Sequence, residues 1–477
     1  MHFLKIGFSF GGPLEQILPN DLWVQSGLPS AYSPPSDMDS HFMLEALKVS
    51  LSSVGISNPN PAVGCVLVDA QGNEISRGAT EAYLGAHAER DALSKISDPK
   101  RLEGATAYVT LEPCSHHGNQ PPCVDLFTSS KIRRVVIARA DPNPLVSGEG
   151  IRKLLASGKE VSIGLHHAEA TAWNFPFFAY QTVKRPIFAL KWAQTLDGQL
   201  ADDQGNSKWI TGPVARSYTH WLRQRYDALL VGAGTVLADF PKLTVRDCGL
   251  PHQAQPLPII FDPKGKLLEI SQEQQDRLLR TTFAEGRKFV YVTSAVETSS
   301  YSRLSALTDA SSCTSQNSGA TRGKANKLSD RLSERISASW LKNLPQGHLL
   351  LLPLPKSTLE PRGTGTHLDV YLIQQLAVLL QGPELTQALG RPLQSIMIEG
   401  GPKTLSLFLQ AGYADLLHVF LAPMLSGGDR NRIRLMDLFA CSKRFELISN
   451  FRLGPDIVME MVSAELQGLF TETTPGT

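Results

Sequence analysis

Residues 105–123 read ATAYVTLEPCSHHGNQPPC. The first eight alternate as a strand does. The strand then runs into a loop that crowds Cys114, His116, His117 and Cys123 into one short stretch, four potential metal ligands. Working outward, AVGCVLVD (62–69) reads as a short apolar strand behind Pro59-Asn60-Pro61, with a turn at 71–73. HAERDALSKI (87–96) reads as a helix, KIRRVVIARAD (131–141) as a strand, and EGIRKLLASG (149–158) as a helix closed by Gly158. Strands alternating with helices predict an α/β sheet.

The helix at 87–96 opens on His87-Ala88-Glu89, and Pro113-Cys114 follows His87 by 27 residues. Zinc deaminases of nucleobases place one His and two Cys on the metal, and a Glu two residues after the His carries protons without ligating. Three protein ligands leave zinc an open fourth position, as a catalytic site requires. A closed structural site, with His116 or His117 as fourth ligand, draws on the same loop, and the residue types alone leave both readings open.

The chain has 477 residues, 42% of them apolar, enough for two or three domains with real cores. A net charge of +1 gives no reason to expect a nucleic acid or a membrane surface as partner. No apolar run reaches the length of a membrane span. The opening MHFLKIGFSFGGPLEQILPN is interrupted by Lys5, Gly11, Gly12 and Pro13, unlike a secretory signal. Six scattered cysteines fit a reducing cytoplasm better than a disulfide scaffold. Residues 1–37, rich in Pro, Ser and Gly, are expected to be a disordered extension; Asp39 or Ser40 is expected to cap a first helix.

After Lys184-Arg185-Pro186 a second series begins. PIFALKWAQTLDGQLA (from 186) opens it, and strands are expected at PIIFD (258–262), KFVYVT (288–293), HLLLLPL (348–354) and LLHVFLAPML (416–425). YDALLVGAGTVLAD (226–239) and SIMIEGGPKTLSLFLQAG (395–412) each read strand, glycine turn, helix. Those turns, Gly232-Ala233-Gly234-Thr235 and Gly400-Gly401-Pro402-Lys403, present backbone N–H groups where phosphates bind, although such turns are also common as plain structure. The Ser/Thr-rich stretch 295–339 is expected to be a disordered insertion.

The motifs NPNPAVGCVLV, HAERDAL, VTLEPCSHHGNQPPC and DPNPLVSGEGI, then LKWAQTLDGQLA, SKWITG, TVLADFPKLTVR and IEGGPKTL, resemble in order and spacing the RibD family of riboflavin biosynthesis. Its members fuse a pyrimidine deaminase to a reductase. The resemblance covers residues 38–465 outside the insertion. It implies a cytidine-deaminase-like α/β/α domain over 38–183, a dihydrofolate-reductase-like α/β domain over 184–465, and a tail from 466 to 477. It implies Zn²⁺ on His87, Cys114 and Cys123, with His116 and His117 as loop residues, Glu89 as proton carrier, and Asn60 on the pyrimidine. In the second domain it implies NADPH beside Ala193, Trp209, Thr235 and Asp239, with its phosphates at Gly401, Pro402, Lys403, Thr404, Leu405, Ser406 and Leu407. Ser207, Arg223, Leu243, Arg246 and Glu399 would hold the substrate, a pyrimidine ribosyl phosphate, and two arginines suit its phosphate because each can grip it bidentately. Asp239 would assist protonation. Association of copies is expected by analogy with the family.

Three positions depart from the family's pattern. Asn119 stands where relatives carry a cation, Phe240 turns Ala-Asp-Asp-Pro into Ala-Asp-Phe-Pro, and Pro263 replaces a serine. Two rival readings follow: a nucleic-acid-editing deaminase, disfavoured by Cys-x8-Cys and the near-neutral charge, and an active deaminase carrying a degenerate reductase.

Overall fold

The structure, a computed structural model, describes residues 36–117, 120–142, 148–202, 204–205, 210–246, 248, 254–284, 287–294, 349–354, 365–428, 431–433 and 444–470. Asn119, Ser207, Trp209, the expected insertion at 295–339 and residues 1–35 lie outside the described residues.

The first sheet is built from β1 (Gly64–Val68), β2 (Glu74–Ala79), β3 (Thr106–Val109), β4 (Arg134–Ile137) and β5 (Glu160–Ile163), in the order β2-β1-β3-β4-β5. β1 is antiparallel to β2 and β3, whereas β3, β4 and β5 run parallel. Helices α1 (Asp37–Ser50), α2 (Ala88–Ser94), α3 (Cys123–Thr128) and α4 (Glu149–Ala156) accompany it. Two glycines set the helix approach. A Cβ on Gly64 would sit 1.9 Å from the Ala46 carbonyl oxygen, and one on Gly78 would sit 2.3 Å from that of Ala88. The bare backbone at Gly78 therefore lets α2, and with it Glu89, lie against the sheet.

Helix α1 begins earlier than expected. Ser36, not Asp39 or Ser40, is the cap, and Asp39 answers it from the third helical position in a capping box. Asp39 is buried, accepts a hydrogen bond from the Tyr108 hydroxyl at 2.8 Å and pairs with Arg134 at 2.9 Å. Its carboxylate thus ties the helix to β3 and β4 as well as to its own first turn.

Helices α5 (His167–Trp173) and α6 (Phe175–Val183) lead to a second, larger sheet. Its strands are β6 (Ile187–Thr195), β7 (Ala228–Gly232), β8 (Leu257–Phe261), β9 (Phe289–Thr293), β10 (Leu349–Pro353), β11 (Ser395–Glu399), β12 (Leu416–Ala422), β13 (Phe445–Leu453) and β14 (Asp456–Ser463). They lie in the order β10-β9-β8-β7-β11-β6-β12-β14-β13. From β10 to β12 every neighbouring pair is parallel, and β14 and β13 close the edge as an antiparallel hairpin. The connecting helices are α7 (Pro213–Gln224), α8 (Ala233–Asp239), α9 (Gln272–Arg280), α10 (Gly365–Gln381), α11 (Pro383–Leu389) and α12 (Pro402–Ala411). The central strands β7 and β11 are buried on both faces, as parallel strands under helices are.

The segment expected to be a tail from residue 466 is packed over its described part. Leu466 and Leu469 are buried, and Phe470 stacks on Phe175 with ring centroids 5.7 Å apart. Arg139 of the first domain donates to the Leu469 carbonyl at 2.6 Å. Trp173 meets Trp221 edge-on at 6.1 Å. The two domains share one apolar core across this seam.

Candidate active site

β3 delivers the chain to the first site. Beyond it Glu112 is buried, and its carboxylate accepts the backbone N–H groups of Asp141 (3.1 Å), Gly148 (3.0 Å), Gly150 (2.9 Å) and Ile151 (3.3 Å). This fixes the turn that carries Pro113 and Cys114. His87 caps the N-terminus of α2, and Cys123 opens α3. The His87 Nδ1 atom lies 3.6 Å from the Cys114 sulfur and 3.4 Å from the Cys123 sulfur. Zn–S bonds of about 2.3 Å and Zn–N bonds of about 2.0–2.1 Å put N and S about 3.6 Å apart across a tetrahedral zinc. The three side chains therefore fit that ion. Among the described residues they form the one His/Cys/Asp/Glu group close enough to hold a metal, and His116 and His117 lie outside it. A three-ligand set leaves a fourth position for water, which favours the catalytic over the closed structural arrangement.

The charges around this group are unequal. Cys114 receives hydrogen bonds from the Cys123 thiol, from His87 and, at 3.2 Å, from the Cys123 backbone N–H, and its thiol is drawn well below the ordinary thiol range. The same contact pushes Cys123 up. Glu89 is buried, and burial together with the negative Cys114 raises its carboxyl to about 7. Glu89 and His87 line a cavity of about 310 Å³ whose other walls include Asn60, Leu84, His116 and Phe177. Asn60, which the family resemblance sets on the pyrimidine, thus faces the same space as Glu89.

The second site lies at the C-terminal ends of β6, β7 and β11, where ligands gather in parallel sheets. The two glycine turns meet there. A Cβ on Gly232 would lie 2.5 Å from the Thr404 hydroxyl, and the Gly401 N–H donates to the Thr235 hydroxyl at 3.3 Å. A Cβ on Gly234 or Gly401 would meet nothing within 4 Å, so both backbones are open to a ligand. Gly401 is the N-cap of α12. Within the expected phosphate run, Leu405 and Ser406 are buried, and Ser406 bonds back to the Pro402 carbonyl at 2.7 Å. Their side chains serve the helix, and the backbone N–H groups of Lys403 and Thr404 stand at its N-terminus, the kind of place that accommodates an anion. Ala193 sits on β6 opposite Phe420 of β12, and Asp239 closes α8.

Arg223 differs from the expectation of a guanidinium poised for phosphate. Its Nε and Nη2 hold the two oxygens of Glu399 at 2.8 and 2.7 Å, and its Nη1 donates to the Thr244 carbonyl at 2.9 Å. Burial alone would raise Glu399, but Arg223 outweighs it and holds the carboxyl at about 2. Arg246 is exposed beside this pair, and its Nη1 bonds the Thr244 hydroxyl at 3.1 Å. Leu243 is buried with φ +51°, so its backbone, rather than its side chain, is what it can offer. Lys191 and His220 join the cluster and were not singled out in the sequence. Lys191 pairs in register with Glu399, and burial lowers its ammonium. A lysine inside the apolar run FALKW was the available signal.

Comparison with known proteins follows the same division. Residues 36–139 match the family model of the cytidine and deoxycytidylate deaminase zinc-binding region, and residues 186–310 with 363–459 match that of the RibD C-terminal domain. The riboflavin biosynthesis protein RibD of Aquifex aeolicus is 34% identical over 392 residues, 82% of this chain and 88% of its own. That of Escherichia coli K12 is 31% identical over 440 residues, 89% of this chain and 100% of its own. The chain belongs to the RibD family. It is a bifunctional riboflavin-biosynthesis enzyme, a zinc-type deaminase domain followed by a reductase domain. A solved Thermotoga maritima diaminohydroxyphosphoribosylaminopyrimidine deaminase/5-amino-6-(5-phosphoribosylamino)uracil reductase has a TM-score of 0.64 and 29% identity, covering 90% of this chain and 99% of that one. The RibD fold thus accounts for both sheets. No helix among the described residues is long and apolar enough to cross a membrane.

Two of the departures from the RibD pattern have visible surroundings. Phe240 takes a left-handed backbone (φ +46°), is buried, and lies under the Arg277 guanidinium at 4.0 Å from the ring centroid. Its bulk is turned into packing. The Pro263 carbonyl accepts the Ser294 N–H at 3.4 Å and the Ser294 hydroxyl at 2.5 Å, so the turn keeps a partner across to β9. For the metal group, Cys123→Ser is expected to leave less than about a tenth of the bound zinc, because a serine hydroxyl does not replace a thiolate ligand. Metal analysis of the purified variant checks this, with His116→Ala and His117→Ala keeping full zinc.

Proposed function

We propose that the first domain deaminates 2,5-diamino-6-(5-phosphoribosylamino)pyrimidin-4(3H)-one to 5-amino-6-(5-phosphoribosylamino)uracil, and that the second reduces the ribosyl group to ribityl with NADPH. The observation that carries the first half is that Asn60, His87, Glu89 and Cys114 line one cavity, with Cys123 close enough to His87 and Cys114 to share a metal with them. His87, Cys114 and Cys123 would hold Zn²⁺, which when bound acidifies a water at its open position. Asn60 offers an amide donor and acceptor to the base edge. Glu89 takes a proton from the attacking water and passes it to the ring amine, which leaves as ammonia while water oxygen remains on the ring carbon. A carboxyl near neutral range can do both.

In the second domain Lys403 and Thr404 would receive the cofactor phosphates on backbone N–H groups, with Gly401, Pro402, Leu405, Ser406 and Leu407 building that turn. Ala193, Trp209, Thr235 and Asp239 would line the nicotinamide side, where NADPH supplies the hydride. Arg246 would take the ribose phosphate with Ser207 and the Leu243 backbone, while Arg223 and Glu399 hold one another and shape the wall. Asp239 would supply the proton that accompanies hydride. The reading takes a small molecule, not a nucleic acid, as substrate, and expects a cytoplasmic homo-oligomer. A second reading, an active deaminase with an idle reductase, is favoured by Phe240 beside Asp239.

The test gives the zinc-loaded protein the diaminopyrimidine ribosyl phosphate and follows ammonia and NADPH together. Ammonia release followed by NADPH oxidation is expected. Ammonia without NADPH oxidation selects the second reading, and no ammonia removes the first.

A further inference from the structure

We infer that the second domain positions the substrate loop of the first, through a hydrogen bond between Asp227 and Asn58. The inference rests on the reading of Asn60 as a substrate contact. Asn58 is not among the residues lining the cavity that holds Glu89, so it acts through its neighbour as a positioning residue.

Asn60 faces two spaces. One is the cavity of the deaminase site. The other is a small interdomain cleft of about 20 Å³, lined also by Asn58, Asp227 and Ser395. Asn58 Nδ2 donates to Asp227 Oδ1 at 3.0 Å. Asp227 stands just before β7, is buried, and is held by its own domain. Arg391 reaches the same oxygen at 2.5 Å. The other oxygen accepts the N–H groups of Gln394 (2.9 Å) and Ser395 (3.0 Å) and the Ser395 hydroxyl (3.2 Å). A carboxylate fixed by four donors of the second domain does not follow the loop, so the loop follows it.

Two further contacts hold the same stretch. Gly55 has φ +77°, and a Cβ there would lie 2.1 Å from the Gln224 carbonyl oxygen and 2.7 Å from Ala254 Cβ, both in the second domain. Only a bare backbone fits between them. Beyond Asn60, the Ala62 N–H and carbonyl exchange hydrogen bonds with the Asn174 side chain at 2.8 and 2.9 Å, where α5 gives way to α6. Asn60 thus lies between anchors on either side, neither of which belongs to the first sheet. An amide that reads a base edge must present its donor and acceptor in a fixed orientation, and a small displacement weakens binding without touching the reacting atoms.

The test uses the full, zinc-loaded chain. For Asn58→Ala the KM of deamination is expected to rise about tenfold, the scale of one lost hydrogen bond in the binding step. The kcat should stay within about twofold, and zinc content and NADPH-dependent reduction of the deaminated compound should be unchanged. Asn58→Ser, which keeps a polar group but falls short of Asp227, should give the same KM signature, and it decides the matter should Asn58→Ala not fold. Asn60→Ala is measured alongside. A raised KM in all three supports the inference. A raised KM in Asn60→Ala alone overturns the positioning and leaves the function standing. A normal KM in Asn60→Ala removes the substrate reading of that residue and the inference with it. Loss of kcat, zinc and reduction together at unchanged KM marks Asn58 as structural only and also overturns it.

Discussion

Glu89→Gln is expected to release ammonia about 10³-fold more slowly than the parent chain, within the about 10²–10⁴ that a placed acid–base group contributes. Zinc content and fold should be retained. The side chain is nearly isosteric, and its site explains why nothing else is lost. Glu89 is 4% exposed, in the first turn of a helix seated on the first sheet. Burial and the negative Cys114 raise its carboxyl to about 7, so the folded protein already holds an unfavourable charge there. A neutral amide removes that charge and leaves His87, Cys114 and Cys123 in place. Reduction by the second domain should proceed at the parent rate when the deaminated compound is supplied. Single-turnover ammonia release on zinc-replete protein checks the expectation. Turnover within about tenfold of the parent would assign proton transfer to another group.

Much of this site was legible in the sequence because local features specify it. A histidine two residues before a glutamate at the start of a helix, and two cysteines on one loop after a strand, narrow the ligand types before any fold is known, and the family resemblance sets His87, Cys114 and Cys123 ahead of His116 and His117. The strand–helix alternation gave the α/β class and β1, β3 and β4 of the first sheet for the same reason, since each element carries its own period, whereas its edge strands β2 and β5 were not read. What was not legible depends on partners far apart in the chain. Arg223 and Glu399 are 176 residues apart and cancel each other's charge, so Arg223 read alone looked like a phosphate ligand. Asn58 and Asp227 are 169 apart, and no local pattern links them. Leu405 and Ser406 sit in the expected phosphate run, but helix geometry turns their side chains inward. The hairpin of β13 and β14 was missed because its register slips between Leu447 and Ser449 and Leu447 is exposed, which breaks the alternation a strand is recognised by.

The Arg223–Glu399 pair carries the other large expectation. Arg223→Ala should destabilise the protein by about 3–5 kcal/mol, the cost of leaving a buried charge without its partner. Both side chains are largely buried, and the contact is a two-point fork. In the parent, the Glu399 carboxyl is held at about 2, below its ordinary range, by Arg223 acting against burial. Its contribution to stability is therefore present above the unfolded carboxylate range and lost as pH falls toward about 2. Without Arg223 the balance inverts. Burial then raises the carboxyl above its unfolded value, and the variant should gain stability as the medium is acidified from neutrality into the ordinary glutamate range. A parent urea midpoint to which Glu399 adds almost no pH slope between neutral pH and about pH 5, against a variant midpoint that rises over that range, is the expected result. Adding Glu399→Gln removes the orphaned charge and should recover most of the lost stability, as replacing both partners costs less than removing one. Reduction should stay lost in the double variant, because the wall between Lys191, His220 and Arg246 has lost its shape. Ammonia release should persist wherever the chain folds. Equal pH slopes in parent and Arg223→Ala would mean that Glu399 is held by Lys191 alone, and the pair would lose its place in the second site.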